Sequence, residues 1–378
     1  MKKKYFSRLT SAVLVLIILT TGNIVKAQSI IKGPYLQNVT PKSIVIMWES
    51  YSRNDKLSCS DGSLKVTRSR LSTGIYLYTA AVSGLNEAKV YNYTVKPYDG
   101  DTVSSYFRTA LYSSANSSAG STDFTFTVFG DTHVWDDGTT IENIINSMIN
   151  YSPAIVLHTG DIEPYDGELG DLQLVFNKTF PLINNTPLFP IRGNHDDENS
   201  RDWFSEYFSL PNNEQWYTFS YGDVQFIGLN TNTTNTKQTL WLKKTLEKSS
   251  AIWKIVYLHK PPFTAGSHQN YQYAIDNWVP LFQRYGVNIV FSGHTHAYEH
   301  YYDNQYCTHY IVAGGGTTNY KTLGNPVLPE YIEQLASQEG ISHYCTVDVK
   351  LNDITFNVID TSEYPSIESF DSFTITRN

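Results

Sequence analysis

Apolar and polar positions follow three regimes along the chain. Between residues 30 and 110, short runs alternate apolar with polar positions and are broken by turn residues: SIVIMWES at 43–50, GIYLYTAAV at 74–82 and KVYNYTVKP at 89–97. A period of two predicts half-buried strands, here those of a small β-sandwich. Trp48, a large aromatic inside such a strand, is its expected core anchor. The stretch 113–122, SSANSSAGST, has no apolar period and reads as a linker. From Asp123 onward, continuous apolar runs of strand length (FTFTVF, AIVL, PLFPI, IWKIVYL, VNIVFS) alternate with helical patterns. Ile141, Ile144, Ile145, Met148 and Ile149 keep helical spacing behind Thr139 or Thr140 as cap, with Pro153 beyond the end. Further helices are expected over 238–248 and 272–285. After Gly316 the pattern returns to strands, with HYCTVDVK, ITFNVID and FTITRN. The fold expected is therefore an all-β sandwich over 28–112, the linker, and an α/β domain over 123–378. There is no internal repeat.

The first 27 residues change the picture at one end. Lys2, Lys3, Lys4 and Arg8 precede the apolar run Ala12 to Leu19, and Val25-Lys26-Ala27 then leads into Gln28. That is the order of a secretory signal peptide, with cleavage expected after Ala27 and the mature chain exported, to the periplasm or outside the cell. The apolar run is too short for a membrane span, which takes about 20 residues. No cysteine adjoins the cleavage site, which argues against a lipid anchor. Removing the five basic residues of the leader leaves 23 cationic against 36 anionic side chains, a net of −13. Such a balance disfavours a nucleic-acid partner. The three cysteines, Cys59, Cys307 and Cys345, have no metal-binding spacing, and an odd number in an exported protein leaves at least one unpaired. Cys307 and Cys345, both in strand-like runs, are the candidate pair.

The candidate chemistry lies where the apolar runs end. GDTH at 130–133, TGD at 159–161, GNHDD at 193–197, LHKPP at 258–262 and GHTHAYEH at 293–300 each follow one of the five buried-type strands. Loops at the carboxyl ends of such strands build sites in α/β proteins, because the sheet fixes their position while the loop lets side chains converge. One such tetrapeptide alone is an ordinary turn; five in series are not. They supply Asp131, His133, Asp161, Asn194, His259, His294 and His296, a mixture of hard oxygen and borderline imidazole donors that suits zinc, manganese or iron. Two divalent ions held about 3.5 to 4 Å apart are one answer to phosphoester hydrolysis. Asp161 is the expected bridge, since a carboxylate can give one oxygen to each ion.

The set and order of these motifs resemble the calcineurin-like metallophosphoesterase superfamily. Within it the opening GPYLQNVTPKSIVIMWES, the GHTHAYEH segment and YIVAGGGT at 310–317 are similar to the purple acid phosphatase branch. The resemblance implies a fibronectin type III-like first domain and a four-layer α/β/β/α catalytic sandwich. It implies one metal on Asp131, His133, Asp161 and His296, a second on Asp161, Asn194, His259 and His294, and attack on phosphorus by a metal-held hydroxide. It assigns His195 to steadying the phosphoryl group and protonating the leaving oxygen, Asp196 to orienting His195, and His268 to contacting phosphate. Two departures stand out. Where that branch has a glycine and an iron-binding tyrosine, this chain has His133 and Pro164, with Tyr165 one place late. His133 is then expected to replace the tyrosinate, giving a colourless enzyme with a divalent pair. His300 stands where the branch usually has arginine.

The implied activity is that of an exported phosphatase acting on small phosphomonoesters. The same cage would also serve phosphodiesters or nucleotides, a choice left to the rim loops 165–178, 230–238 and 263–273. A non-catalytic adhesion protein on the same fold is the reading from another class, disfavoured by the complete donor set. His158, His309 and His343 are expected to be packed residues. His300 and Glu299 are either a supporting layer or surface, Arg192 either a phosphate ligand or a loop anchor, and Asp197 and Glu198 part of a solvated loop.

Overall fold

The computed structural model describes residues 29–162, 169–197 and 202–377; the expected leader lies outside them. The N-terminal part, residues 30–108, has seven strands: β1 (Ile30–Gln37), β2 (Ser43–Ser50), β3 (Lys56–Cys59), β4 (Ser63–Ser72), β5 (Ile75–Ser83), β6 (Val90–Lys96) and β7 (Val103–Arg108). They form two antiparallel sheets, ordered β1-β2-β5-β4 and β3-β6-β7. Trp48 is fully buried, stacked on Tyr78 at 4.8 Å between ring centroids, and its Nε1 donates to Asp55 Oδ2 at 3.0 Å. The anchor expected from the strand pattern is thus in place, with its one polar atom satisfied.

The α/β part that follows runs β8 (Phe124–Phe129), α1 (Thr139–Ile149), β9 (Ile155–His158), α2 (Leu169–Ile183), β10 (Leu188–Pro190), α3 (Trp203–Tyr207), β11 (Tyr217–Tyr221), β12 (Val224–Leu229), α4 (Thr236–Glu247), β13 (Trp253–Leu258), α5 (Gln272–Asn277), α6 (Val279–Tyr285), β14 (Ile289–Ser292), β15 (Tyr298–Asp303), β16 (Thr308–Ala313), β17 (Ile332–Gln338), β18 (His343–Val349), β19 (Asp353–Asp360) and β20 (Glu368–Thr376). One sheet has the order β10-β9-β8-β18-β19-β20, the other β11-β12-β13-β14-β16-β15-β17. The five motif-bearing strands lie side by side within their sheets, β8 with β9 and β10, and β13 with β14, all in parallel register. Their carboxyl ends therefore emerge together. Phe126 meets Phe226 edge-on at 5.1 Å and Phe291 meets Phe356 at 6.2 Å, so the sheets pack face to face through aromatic side chains. On the other side of the first sheet, Ser147 of α1 bonds the Tyr344 hydroxyl of β18 at 2.8 Å.

Three expectations are revised. The helix expected over 272–285 is two helices broken at Trp278, because Pro280 cannot donate into a continuous ladder. Thr139 and Thr140 are not the cap of α1; Asp136 Oδ2 accepts from the Thr140 amide (2.9 Å) and hydroxyl (2.5 Å). The cysteines are all free: Cys307 is exposed and Cys345 buried, so they do not pair.

The N-terminal sheets and the α/β part are tied together. Glu49 Oε2, buried, takes Lys32 Nζ at 2.7 Å and the Tyr207 hydroxyl at 2.6 Å, while Tyr35 donates to the Tyr207 carbonyl at 2.7 Å. Tyr93 donates to the Asn184 carbonyl at 2.6 Å. The stretch 113–122 has no helix or strand, but Ser114 and Thr122 bond Asp223 and Ser118 bonds Glu87.

Candidate metal centre

All seven donors sit on loops that follow the parallel strands: Asp131 and His133 after β8, Asp161 after β9, Asn194 after β10, His259 after β13, His294 and His296 after β14. Three of these residues, Asp131 (φ 59°), Asp161 (φ 53°) and His294 (φ 68°), hold left-handed backbone. Asp and His tolerate that region better than most side chains, and unfavourable backbone of this kind gathers at functional sites. The turn it creates brings the loops into contact. The Asp131 amide donates to the Gly160 carbonyl at 3.0 Å and the Thr132 amide to the Asp161 carbonyl at 2.9 Å. Gly160 and Gly193 let two backbones touch: a Cβ at Gly160 would fall 2.6 Å from the Gly193 nitrogen, and one at Gly193 only 2.0 Å from Asp161 Oδ1.

The donors converge in three overlapping groups, Asp131 with His133 and His296, His133 with Asp161 and His195, and Asp161 with His259 and His294, the atoms of each within 4.8 Å of one another. Asp161 Oδ2 is 3.2 Å from His259 Nε2 and 3.6 Å from His133 Nε2, which makes it the common member of both sides. His296 Nε2 is 3.6 Å from Asp131 Oδ1. Asn194 Oδ1 and His294 Nδ1 both approach His259 Nε2, at 3.0 and 3.1 Å. Donor atoms aimed at one another in this way fit a shared cation. The far sides of the rings are held by carbonyls, His259 Nδ1 by Thr159 at 3.0 Å and His296 Nδ1 by Asn319 at 2.7 Å, which turns each Nε2 toward the cluster.

Electrostatics agree with a cation-binding cage. Burial would push both carboxyls up, but Asp131, beside His296 and His259, and Asp161, beside His259 and His133, are held below the ordinary carboxylate range. Burial also opposes charge on His259, yet the Asp161 carboxylate outweighs it and lifts His259 to about 9. His294, buried and next to that cation, falls to about 2. It stays a neutral donor.

The remaining candidates are also accounted for. His195 lies at the cluster edge, its amide donating to Asp161 Oδ1 at 3.0 Å and its Nε2 3.9 Å from Asp161 Oδ2. The Asp196 carboxylate accepts from the amides of Asp161 (2.9 Å), Ile162 (3.0 Å) and Gly193 (2.7 Å). These bonds fasten two metal-site loops to each other, so Asp196 supports His195 through the backbone that carries it. His268 stacks against His294 with centroids 4.0 Å apart. Arg192 is the loop anchor of the two alternatives: it pairs with Asp197 at 2.5 Å and Asp202 at 2.6 Å and lies over the Phe204 ring. Glu299 and His300 are buried, not surface. Glu299 accepts from the Thr264 hydroxyl (2.6 Å) and Ala265 amide (2.5 Å), steadying the loop that carries His268, whereas His300 turns to Asp371 at 2.7 Å. His158, His309 and His343 are packed and lowered by burial to about 3, 3 and 4. Pro164, Tyr165 and Glu198 lie outside the described residues.

Sequence reasoning missed the segment after YIVAGGGT. Asn319 orients His296, the Lys321 amide donates to the His296 carbonyl at 3.2 Å, and Gly324 bonds Ala265 at 2.7 Å. Nothing in its composition marks it, because its role arises from contacts with residues distant in the chain.

Residues 124–298 match the family model for the calcineurin-like phosphoesterase domain, in keeping with the fold and donor set above. The proteins that this chain is similar to include purple acid phosphatases. It is 28% identical to purple acid phosphatase 15 of Arabidopsis thaliana over 268 residues, 59% of this chain and 49% of that one. Purple acid phosphatase 23 of the same plant is 32% identical over 138 residues, 32% of this chain and 30% of that protein. The chain thus matches half or less of the length of these curated relatives. A purple acid phosphatase from yellow lupin (Lupinus luteus) seeds shares the fold with a TM-score of 0.74 at 17% identity, over 94% of this chain and 75% of that one. PhoD shares it at 0.65 and 12% identity, over 91% and 90%.

Proposed function

We propose that this protein is an exported phosphatase that hydrolyses phosphomonoesters at a binuclear divalent-metal centre, carried by a four-layer catalytic sandwich behind a fibronectin type III-like domain. The observation that carries the reading is the position of Asp161, whose one carboxylate oxygen faces His133 on one side and His259 on the other. Asp131, His133, Asp161 and His296 would hold one ion; Asp161, Asn194, His259 and His294 would hold the other. Zinc, manganese and ferrous iron all suit these donors. Such a pair neutralises phosphoryl oxygens and activates water when bound.

The rest falls to the chain's own groups. His195, at the edge of the cluster, steadies the phosphoryl group and gives its proton to the departing oxygen. Asp196 holds the loop that aims it. His268, resting on His294, contacts the phosphoryl group from the opposite side. With His133 in the donor set and no tyrosinate required, the loaded enzyme is colourless. The leader at 1–27 delivers it out of the cytoplasm, and among the described residues no helix is long and apolar enough to cross a membrane.

The test is hydrolysis of p-nitrophenyl phosphate against bis(p-nitrophenyl) phosphate by the mature protein supplied in turn with zinc, manganese and iron, with visible spectra recorded alongside. A monoester preference without a visible charge-transfer band supports the proposal. A diester preference moves the activity to phosphodiesters, and no turnover of either substrate with any metal removes the enzymatic reading.

A further inference from the structure

Five strand ends supply the donors of the centre, and a sixth opens beside them without giving one. Strand β12 lies parallel to β13 with Leu229 opposite Leu258, so Asn230-Thr231-Asn232 emerges next to His259. This end is built to be rigid. Gln238, fully buried in the first turn of α4, accepts from the Asn230 amide and donates its Nε2 to the Asn230 carbonyl, both at 2.8 Å. Asn230 Oδ1 accepts from the Asn232 amide at 2.8 Å, and the Thr231 hydroxyl accepts from the Lys260 amide at 3.3 Å.

From that base the half-buried Asn232 side chain reaches across to the loop of His195. Its Nδ2 donates to the Gly193 carbonyl and to Asp197 Oδ2, both at 2.7 Å, which uses both hydrogens of the amide. The two acceptors flank Asn194, His195 and Asp196, and the other oxygen of Asp197 is taken by Arg192. The short 3-10 turn His195–Asp197 is therefore braced twice. Asp196 ties it to the backbone of Asp161 and Ile162, and Asn232 ties its two ends to β12. Asn194 has a restraint of its own in its approach to His259 Nε2 at 3.0 Å. Loss of the Asn232 brace should thus be felt at His195 more than at the metal donors.

We infer that Asn232 is a positioning residue for His195, holding the turn at the tilt that brings the imidazole to the leaving oxygen. The inference rests on the role given to His195 under the proposed function. Proton transfer depends steeply on placement, so a turn freed on one side costs rate without any group that touches the substrate being removed.

Phenyl phosphate and p-nitrophenyl phosphate test this, because the more basic phenolate needs the proton more. Asn232→Ala should keep the wild-type metal content and lower kcat about tenfold on phenyl phosphate but only about threefold on p-nitrophenyl phosphate. Asn232→Asp, which keeps the size but turns acceptors toward the Gly193 carbonyl and Asp197, should show the same split. His195→Ala should show it in larger size, and adding Asn232→Ala to that variant should change neither substrate further. Equal losses on both substrates, a loss that persists in the His195→Ala background, or unchanged kcat in both Asn232 variants overturns the assignment. A flat leaving-group response in His195→Ala itself removes the acid role on which it rests, and absence of turnover in the wild type removes the phosphatase reading as well.

Discussion

At the scale of single residues, neighbours in the chain have separate tasks. Asn194 gives its oxygen to the cluster, His195 stands at its edge, and Asp196 spends its carboxylate on three backbone amides. His195→Ala should therefore keep metal content and melting temperature and lower kcat by about 10² to 10⁴, the usual worth of a positioned acid. Unchanged kcat in a metal-replete variant would remove His195 from that role. The seven candidate donors could be named from the sequence because their chemistry is a property of residue type and their place is set by the strand before them, and the structure brings them together. Asn319, Lys321 and the Glu299 anchor were not, since what each does depends on a partner more than twenty residues away. The even choice for Arg192 could be settled only once Asp202 and Phe204 were seen to fold back onto it.

At the scale of elements, the five motif strands and α1 follow from long apolar signals, and the revisions fall where that signal is weak. Strand β4, SLKVTRSRLS, is exposed on both faces and offers no burial period to read. Helix α2 contains Pro181 and the short α3 spans only five residues, so neither carries a helical apolar signal of the length seen in α1. The stretch 113–122 has no apolar period to read, but Glu87 bonds Tyr112, Ser117 and Ser118, and these bonds, those of Ser118 first, lower its carboxyl from 4.5 to about 2. A folded-state value below the unfolded one means stabilisation that is complete above about 4.5 and fades as pH falls toward 2. Glu87→Gln should accordingly melt earlier than wild type at pH 6, and the difference should shrink through that window. A difference that persists unchanged at pH 2.5 would show that the linker is not held by this carboxylate.

At the scale of the whole molecule, the two parts of the chain carry opposite charge: ten Lys and Arg against six Asp and Glu over residues 29–112, thirteen against thirty beyond. Their junction nonetheless depends on a specific buried group. Glu49 bonds Lys32 from its own part and Tyr207 from the other, and Tyr207 belongs to the helix whose cap, Asp202, pairs with Arg192 beside the metal loop. Glu49→Ala leaves Lys32 buried without its partner and should cost about 3 to 5 kcal/mol in urea unfolding; a loss under about 1 kcal/mol would mean that the junction does not rely on it. Two ions sharing Asp161 are the core of the proposed chemistry. Metal content of the purified protein, measured by inductively coupled plasma mass spectrometry on wild type and Asn194→Ala, tests this most directly. Two ions per wild-type chain and about one in the variant is the result predicted. A single ion in the wild type, or two retained in Asn194→Ala, would contradict it.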